Sequence, residues 1–374
     1  MGKSRKKGIL VLKVGSSVIT VERGVLDAAT IEEIVRQIIL LRQMGYDVLL
    51  VSSGAIAAGM QRLGLKKKPA YLPEVQACAA VGQTQLMNAY DTYFKCRKTN
   101  TAQILLTQDD INDRTRYLNA RNTIQALLKN GAVPIVNEND TVSTEEIKFG
   151  DNDRLSGLVA NLIEAKRLLI LSNVDGLYKT DLRDKTKKVL MKKVDRVTEE
   201  VEDLADEGLS KFGTGGMRTK LETAKMVTNS GIDCVILNGR AKGALVDLMS
   251  GSSVGTVFPA AQPKISARKR WIAYSSKTAG AVRVDGGAKD VLTRKNRSLL
   301  PSGITGCTGK FGAGETVSIQ DEGGREFARG ISYYSSAEIN KIKGKQTVHI
   351  EDVLGYKYYD EVVHRDNLVL MDRA

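Results

Sequence analysis

Residues 8–17 read GILVLKVGSS, residues 30–45 read TIEEIVRQIILLRQMG, and residues 48–59 read VLLVSSGAIAAG. The first and last begin with short apolar runs fit for buried strands, and each passes into a turn of small residues. Between them, Ile31, Ile34, Val35, Ile38 and Leu41 recur at helical spacing. Thr30 and Glu33 have the spacing of a capping box, and Gly45 follows as a C-terminal stop. A buried strand, an amphipathic helix and a second buried strand make the unit from which parallel sheets are built.

The alternation continues outward from this unit. A helix is expected over roughly 74–94, a strand at 103–107, a helix over roughly 116–130 and strands at 132–136 and 168–172. A helix after Gly216, a strand at 234–238 and a short strand near 255–258 complete it. Residues 1–258 therefore read as an α/β domain, a three-layer αβα sandwich around a mainly parallel sheet. Ligands in such sheets bind beyond the strand C-termini, where the small-residue turns fall. From residue 259 the pattern changes. Residues 259–277 hold two of the six prolines and a basic run and read as a linker. Short glycine-separated strands then point to a small β-rich domain over 278–358, with a tail at 359–374.

A chain of 374 residues can bury more than one core. No apolar run has the length of a membrane span, and no signal peptide or myristoylation pattern is recognised at the start, which makes a cytoplasmic protein the expectation. Four scattered cysteines without a C-x-x-C pair read as reduced thiols, and only two histidines, His349 and His364, are present. Histidine-based acid–base chemistry and a His-rich zinc site are thereby disfavoured. The net charge of +13 favours anionic partners such as nucleotides, acidic metabolites or RNA.

Four turns at expected strand ends carry unusual residue types. Lys13 lies inside an apolar strand before Gly15-Ser16-Ser17; it either reaches a ligand or snorkels to solvent. Ser52-Ser53-Gly54-Ala55 would let a ligand approach the backbone, or would serve tight helix–sheet packing. The segment from Asn137-Glu138-Asn139-Asp140 to Gly150-Asp151-Asn152-Asp153 is dense in acids and amides, suited to a metal, to an ammonium group or simply to turns. It lacks the spacing of an EF-hand. Residues 213–220, GTGGMRTK, place backbone N–H groups and Lys220 at a helix start, which suits a phosphate, although the P-loop spacing is absent. Together these turns put two lysines, three glycine-bearing turns and an acid/amide loop at one sheet edge.

The strings VLKVGSSV, VSSGAIAAG, PIVNENDTV, KFGDND, DGLY and GTGGMRTK resemble, in order and spacing, those of the glutamate 5-kinases of the amino acid kinase superfamily. The segment with VDGGA, LLPSGI, GKFGAGETV and ARGISYYSS is similar to a PUA domain, so the small domain would be a PUA-like barrel. The resemblance implies transfer of the ATP γ-phosphoryl group to the side-chain carboxylate of L-glutamate, the first step of proline synthesis, with Mg²⁺ accompanying ATP and inhibition by proline. It implies catalytic roles for Lys13, Lys220 and Asp153, the last also orienting the nucleotide's Mg²⁺. Ser53, Asp140 and Asn152 would hold glutamate. Lys13, Ser172, Asn173, Thr214, Gly215, Gly216, Met217, Arg218, Thr219 and Lys220 would bind ATP. Handover to glutamyl-phosphate reductase, homo-oligomerisation and RNA binding by the PUA domain are further expectations.

Two positions depart from the family pattern: Asn173 stands where an aspartate is usual, and Leu182 where a proline is common. Asn173 keeps a carbonyl but lacks the charge. Two other readings are a kinase of aspartate or N-acetylglutamate and an RNA-binding or RNA-modification protein led by the PUA-like domain and the positive charge. No aromatic RNA-recognition signature accompanies the latter.

Overall fold

The computed structural model describes residues 7–21, 24–143, 152–180, 188–206, 216–261 and 266–371. The chain forms two compact units, residues 1–264 and 265–374.

The first unit is built on a seven-stranded sheet. In chain order its elements are β1 (Gly8–Val14), α1 (Ser16–Ile19), α2 (Ala28–Gln43), β2 (Tyr46–Ser52), α3 (Ala55–Arg62), α4 (Leu72–Lys95), β3 (Thr101–Leu106), α5 (Gln108–Asn112), α6 (Arg114–Lys129), β4 (Val133–Glu138) and α7 (Asn152–Leu162). There follow β5 (Arg167–Ser172), a hairpin of β6 (Tyr178–Thr180) and β7 (Lys188–Leu190), α8 (Glu199–Asp206), α9 (Met217–Asn229), β8 (Asp233–Asn238), α10 (Ala244–Met249) and β9 (Thr256–Phe258). The sheet order is β3-β4-β2-β1-β5-β8-β9, with every pairing parallel except β8–β9. β1 is thus central; the chain runs from it to β2, β3 and β4 on one side and returns to β5 on the other, the arrangement that opens a crevice at the strand C-termini.

Alternation along β1 decides which side chains reach that crevice. Leu10, Leu12 and Val14 join Val48, Leu50, Ile135, Leu169 and Leu171 in a core that also takes Ile31, Ile34, Val35, Ile38 and Leu41 of α2 and Leu86, Tyr90 and Phe94 of α4. Val11 and Lys13 point to the opposite face, because side chains of a strand alternate. There Lys13 meets α7, and α7 packs in turn on α9. The lysine in the apolar strand is therefore buried under a helix, and the alternative of a side chain snorkelling to solvent is excluded by its 3% exposure.

Helix α2 begins earlier than its expected capping box. Asp27 is the N-cap of α2, its carboxylate accepting from Thr30 N–H at 3.1 Å and Thr30 Oγ1 at 2.8 Å. Ala28 and Ala29 favour helix and extend it by a turn, so Thr30 becomes an interior residue. Glu33 pairs instead with Arg36 and accepts from the Gly243 N–H.

Helices α3 and α4 meet backbone to backbone at two glycines. A Cβ on Gly59 would lie 1.8 Å from Cys78 O, and one on Gly82 would lie 1.7 Å from Ala55 O. Only glycine permits this approach. It fixes the start of α3, where Gly54 adopts φ 100° to turn the chain out of β2.

The second unit contains α11 (Ala267–Arg270), a π-helical turn over Trp271–Ser275, β10 (Gly280–Val284), α12 (Gly286–Lys295), β11 (Ile304–Gly309), β12 (Thr316–Gln320), β13 (Glu326–Ile331), α13 (Ser336–Ile342), α14 (Ile350–Leu354) and β14 (Leu368–Leu370). Its five strands run β11-β10-β12-β13-β14. The expected linker and tail both contribute to structure here. Trp271 and Ile272 are buried, and Val362, Val363 and Leu368 belong to the core while β14 pairs with β13. These pieces are short, and their burial depends on partners distant in sequence. All four cysteines are free, and no described helix is long and apolar enough to cross a membrane.

Candidate active site

The C-terminal ends of β1, β2, β4 and β5 and the starts of α7 and α9 bring together most of the residues singled out in the sequence. At the centre is Asp153, in the first turn of α7 and 0% exposed. Lys13 Nζ lies 2.6 Å from its Oδ1, and Lys220 Nζ, from the first turn of α9, lies 3.0 Å from its Oδ2. Both lysines are buried, at 3% and 6% exposure. Thr219 Oγ1 adds a 3.3 Å contact to Asp153 Oδ2 and donates to Gly216 O at 3.0 Å. A buried ammonium is costly unless paired, and one carboxylate here serves two. An ammonium carries three donors, so a bond to Asp153 does not exhaust either lysine. The arrangement holds two cations side by side, suited to a polyanion.

The turn after β1 lies against this cluster. A Cβ on Gly15 would be 3.7 Å from Lys13 Nζ. Arg240, just beyond β8, braces the same turn by donating to Ser17 O at 3.2 Å and Thr20 O at 3.0 Å while pairing with Asp27 at 3.2 Å. Burial works to raise the Asp27 carboxyl, but the Thr30 hydrogen bonds and Arg240 outweigh it and hold the group below its ordinary value of 3.8.

Beside the lysines stands a network of amides and hydroxyls. Asn152 Nδ2 donates to Ser52 O at 2.7 Å, Asn137 Oδ1 at 2.8 Å and Ser53 Oγ at 3.0 Å. Asn137 Oδ1 also accepts from Glu138 N–H at 2.9 Å, and its Nδ2 donates to Gln83 Oε1 at 2.8 Å. Ser52 Oγ lies 3.0 Å from the hydroxyl of Tyr90, whose pKa is raised by complete burial despite that hydrogen bond. Ser53 and Asn152 thus meet directly. Asp140 follows three residues after Asn137, half-buried in a turn at which Asn139 N–H donates to Leu106 O.

On the other side of the lysines, Ser172 ends β5 and Asn173 follows it, exposed, with Ser172 Oγ 3.4 Å from Asn173 Oδ1. Asp175 accepts from Asn238 Nδ2 at 2.9 Å and from the Tyr178 hydroxyl at 2.8 Å, which hold its carboxyl below the usual range. Gly216 caps α9, Met217 begins it, and Arg218 makes a surface pair with Glu222 at 3.6 Å. Thr214 and Gly215, like Gly150, Asp151 and Leu182, lie outside the described residues. Gln83, Tyr90 and Arg240 were not singled out in the sequence; on a helix face or in a turn, each reads as an ordinary polar or aromatic residue. Asn137 belonged to the acid/amide loop, but nothing in its spacing marked it as the link between Asn152 and α4.

The amino acid kinase family profile matches residues 8–238, and a PUA domain matches residues 280–354. A glutamate 5-kinase of Citrifermentans bemidjiense is 49% identical over 362 residues, covering 97% of each chain. One of Thermoanaerobacter sp. is 46% identical over 365 residues, covering 98% of each. The chain belongs to the glutamate 5-kinase family. In this kinase the Lys13–Asp153–Lys220 cluster sits where the crevice of the amino acid kinase fold opens, and Asn152, next to Asp153 on α7, ties the amide network to it. Among the described residues there is no group of three or more His, Cys, Asp or Glu side chains able to hold a metal. Both carboxylate oxygens of Asp153 face lysines, which fits its expected role in orienting them.

Proposed function

We propose that the protein transfers the γ-phosphoryl group of MgATP to the γ-carboxylate of L-glutamate, giving L-glutamyl 5-phosphate and ADP, as the first step of proline synthesis in the cytoplasm. The observation that carries this reading is the pair of buried lysines held on Asp153 beside the Asn152–Ser53 pair. A carboxylate oxygen of glutamate attacks the γ-phosphorus, and the bond to the β–γ bridging oxygen breaks with its electron pair leaving on ADP. The attacking carboxylate is already ionised at neutral pH, so no general base is needed. Such transfers depend on positioning and charge neutralisation. Lys13 and Lys220 supply the charge from opposite sides, and Asp153 keeps their heads at a fixed separation. Mg²⁺ carried by ATP would help neutralise phosphate charge, with Asp153 orienting it as well as the lysines.

Ser53, Asp140 and Asn152 bind glutamate in this reading. Ser172, Asn173 and residues 214–220 bind ATP, and free proline inhibits by overlapping the glutamate site. The labile acyl phosphate product calls for handover to a reductase. The kinase chemistry is assigned to the first 258 residues. Oligomer formation and RNA binding by the PUA domain are the parts of the proposal furthest from the site chemistry; a titration with RNA at several salt concentrations separates specific binding from charge attraction. The reaction is tested by ADP release with glutamate, aspartate and N-acetylglutamate, with and without proline. Turnover restricted to glutamate and reduced by proline is expected; preference for either other acid overturns the assignment.

A further inference from the structure

The amide network beside the lysines has a direction. Asn152 Nδ2 faces the carbonyl of Ser52 at 2.7 Å, and a carbonyl can only accept, so the nitrogen of this side chain is turned inward. With Ser53 Oγ and Asn137 Oδ1 also within 3.0 Å, three acceptors share its two hydrogens. Asn137 is pinned equally firmly. The Glu138 N–H can only donate, and it points at Asn137 Oδ1 from 2.9 Å. Asn137 Nδ2 is thereby turned toward Gln83 Oε1, 2.8 Å away on α4. Donors and acceptors therefore run one way, from Asn152 through Asn137 to Gln83. A reversed Asn137 would set its NH₂ against the Glu138 N–H.

The consequence lies at the far end. Asn152 has its nitrogen fully engaged and only its Oδ1 left, a pure acceptor without a partner among the described residues. An acceptor suits the ammonium group of an amino acid and offers nothing to a carboxylate. Gln83 is placed to set this orientation because its own helix is held against α3 here: the neighbouring Gly82 packs directly on Ala55 O.

We propose that Gln83 is a positioning residue which, through Asn137, holds Asn152 with its carbonyl oxygen available to the substrate's α-ammonium, making the site selective for an acid that carries a free amine. This rests on the reading of the protein as a glutamate kinase. A site built to receive a donor rejects the analogue lacking it, because its own polar atom is left unpaired.

The test compares kcat/KM for glutamate with that for glutarate, which has the same carboxylates and no amine. The parent is expected to favour glutamate by a factor on the order of 100 or more. Gln83→Met fills the space without an acceptor and is expected to reduce that preference at least tenfold, mainly through a higher KM for glutamate, with the KM for MgATP within twofold of the parent. Gln83→Glu keeps an oxygen for Asn137 and should retain the preference within about threefold. An unchanged preference in Gln83→Met, or equal loss in Gln83→Glu, overturns the proposal. Should Gln83→Met not fold, Asn137→Ala breaks the same relay and is expected to lower the ratio; no change there overturns it equally. Absence of glutamate turnover by the parent sinks the assignment of the reaction and this proposal with it. Normal parental turnover with an unaltered ratio sinks the relay alone.

Discussion

Lys220 Nζ and Asp153 Oδ2 lie 3.0 Å apart although 67 residues separate them in the chain. The contact joins the first turn of α9 to the first turn of α7, and Lys13 closes the cluster from β1. Charge is thus assembled from three elements before any substrate arrives, which is what electrostatic preorganisation requires.

Lys220→Ala removes one of the two cations flanking the transferred group. Loss of a single well-placed donor of this kind costs about 10²–10³ in kcat. The expected outcome is a fall of that order with the KM for glutamate changed less than threefold. Steady-state kinetics at saturating ATP checks it, and near-normal turnover would remove Lys220 from the transition state.

Asp153→Asn leaves two buried lysines facing a neutral amide. Breaking a buried pair by removing one partner typically costs about 3–5 kcal/mol. The melting temperature should therefore drop, and MgATP should restore more of it than in the parent, because phosphate oxygens supply the missing negative charge. Thermal melts with and without nucleotide decide; equal nucleotide stabilisation in both proteins would contradict the shared-anion view.

Gly82→Ala puts a methyl group where the backbone oxygen of Ala55 lies 1.7 Å from the ideal Cβ. Overpacking costs roughly 1–3 kcal/mol, and more where only backbone can yield. Because α3 starts two residues after Ser53, the displacement should also raise the KM for glutamate while that for ATP stays close to the parent value. Denaturant unfolding together with the two KM values tests this.

Asp27→Ala removes the N-cap of α2 and the partner of Arg240. A lost cap of this type costs about 1 kcal/mol near neutral pH. The Asp27 carboxyl titrates below its ordinary 3.8 in the folded protein, so the unfolded chain binds a proton first as pH falls. Its contribution is complete above the unfolded value and fades as pH drops through the folded one. The stability difference between parent and variant should accordingly be constant from about pH 5 to 7 and shrink below pH 4. A difference that grows on acidification would refute the assignment.

Much of the first unit was legible because a parallel sheet covered on both faces needs strands apolar throughout, and such strands stand out as runs. Lys13 was conspicuous for the same reason, being the one charge in such a run. The start of α2 was misjudged since Thr30-Glu33 and Asp27-Thr30 are both sensible caps, and the two alanines that favour the earlier one carry no pattern of their own. Burial of Trp271 and pairing of Leu368–Leu370 escaped because each belongs to a short segment whose partners lie far along the chain. The roles of Asn152 and Asp153 came from family resemblance. Their orientation is a product of contacts with Ser52, Asn137 and the lysines that no local spacing encodes.

The glycine seam between α3 and α4 bears on how the enzyme can change. At Gly59 and Gly82 backbone lies against backbone, so neither position has room for a side chain. Neither glycine can then be the place where substrate preference drifts, whereas polar neighbours such as Gln83 and Asn137 can change. The two glycines should persist unaltered through it, as the fixed margin around an editable page.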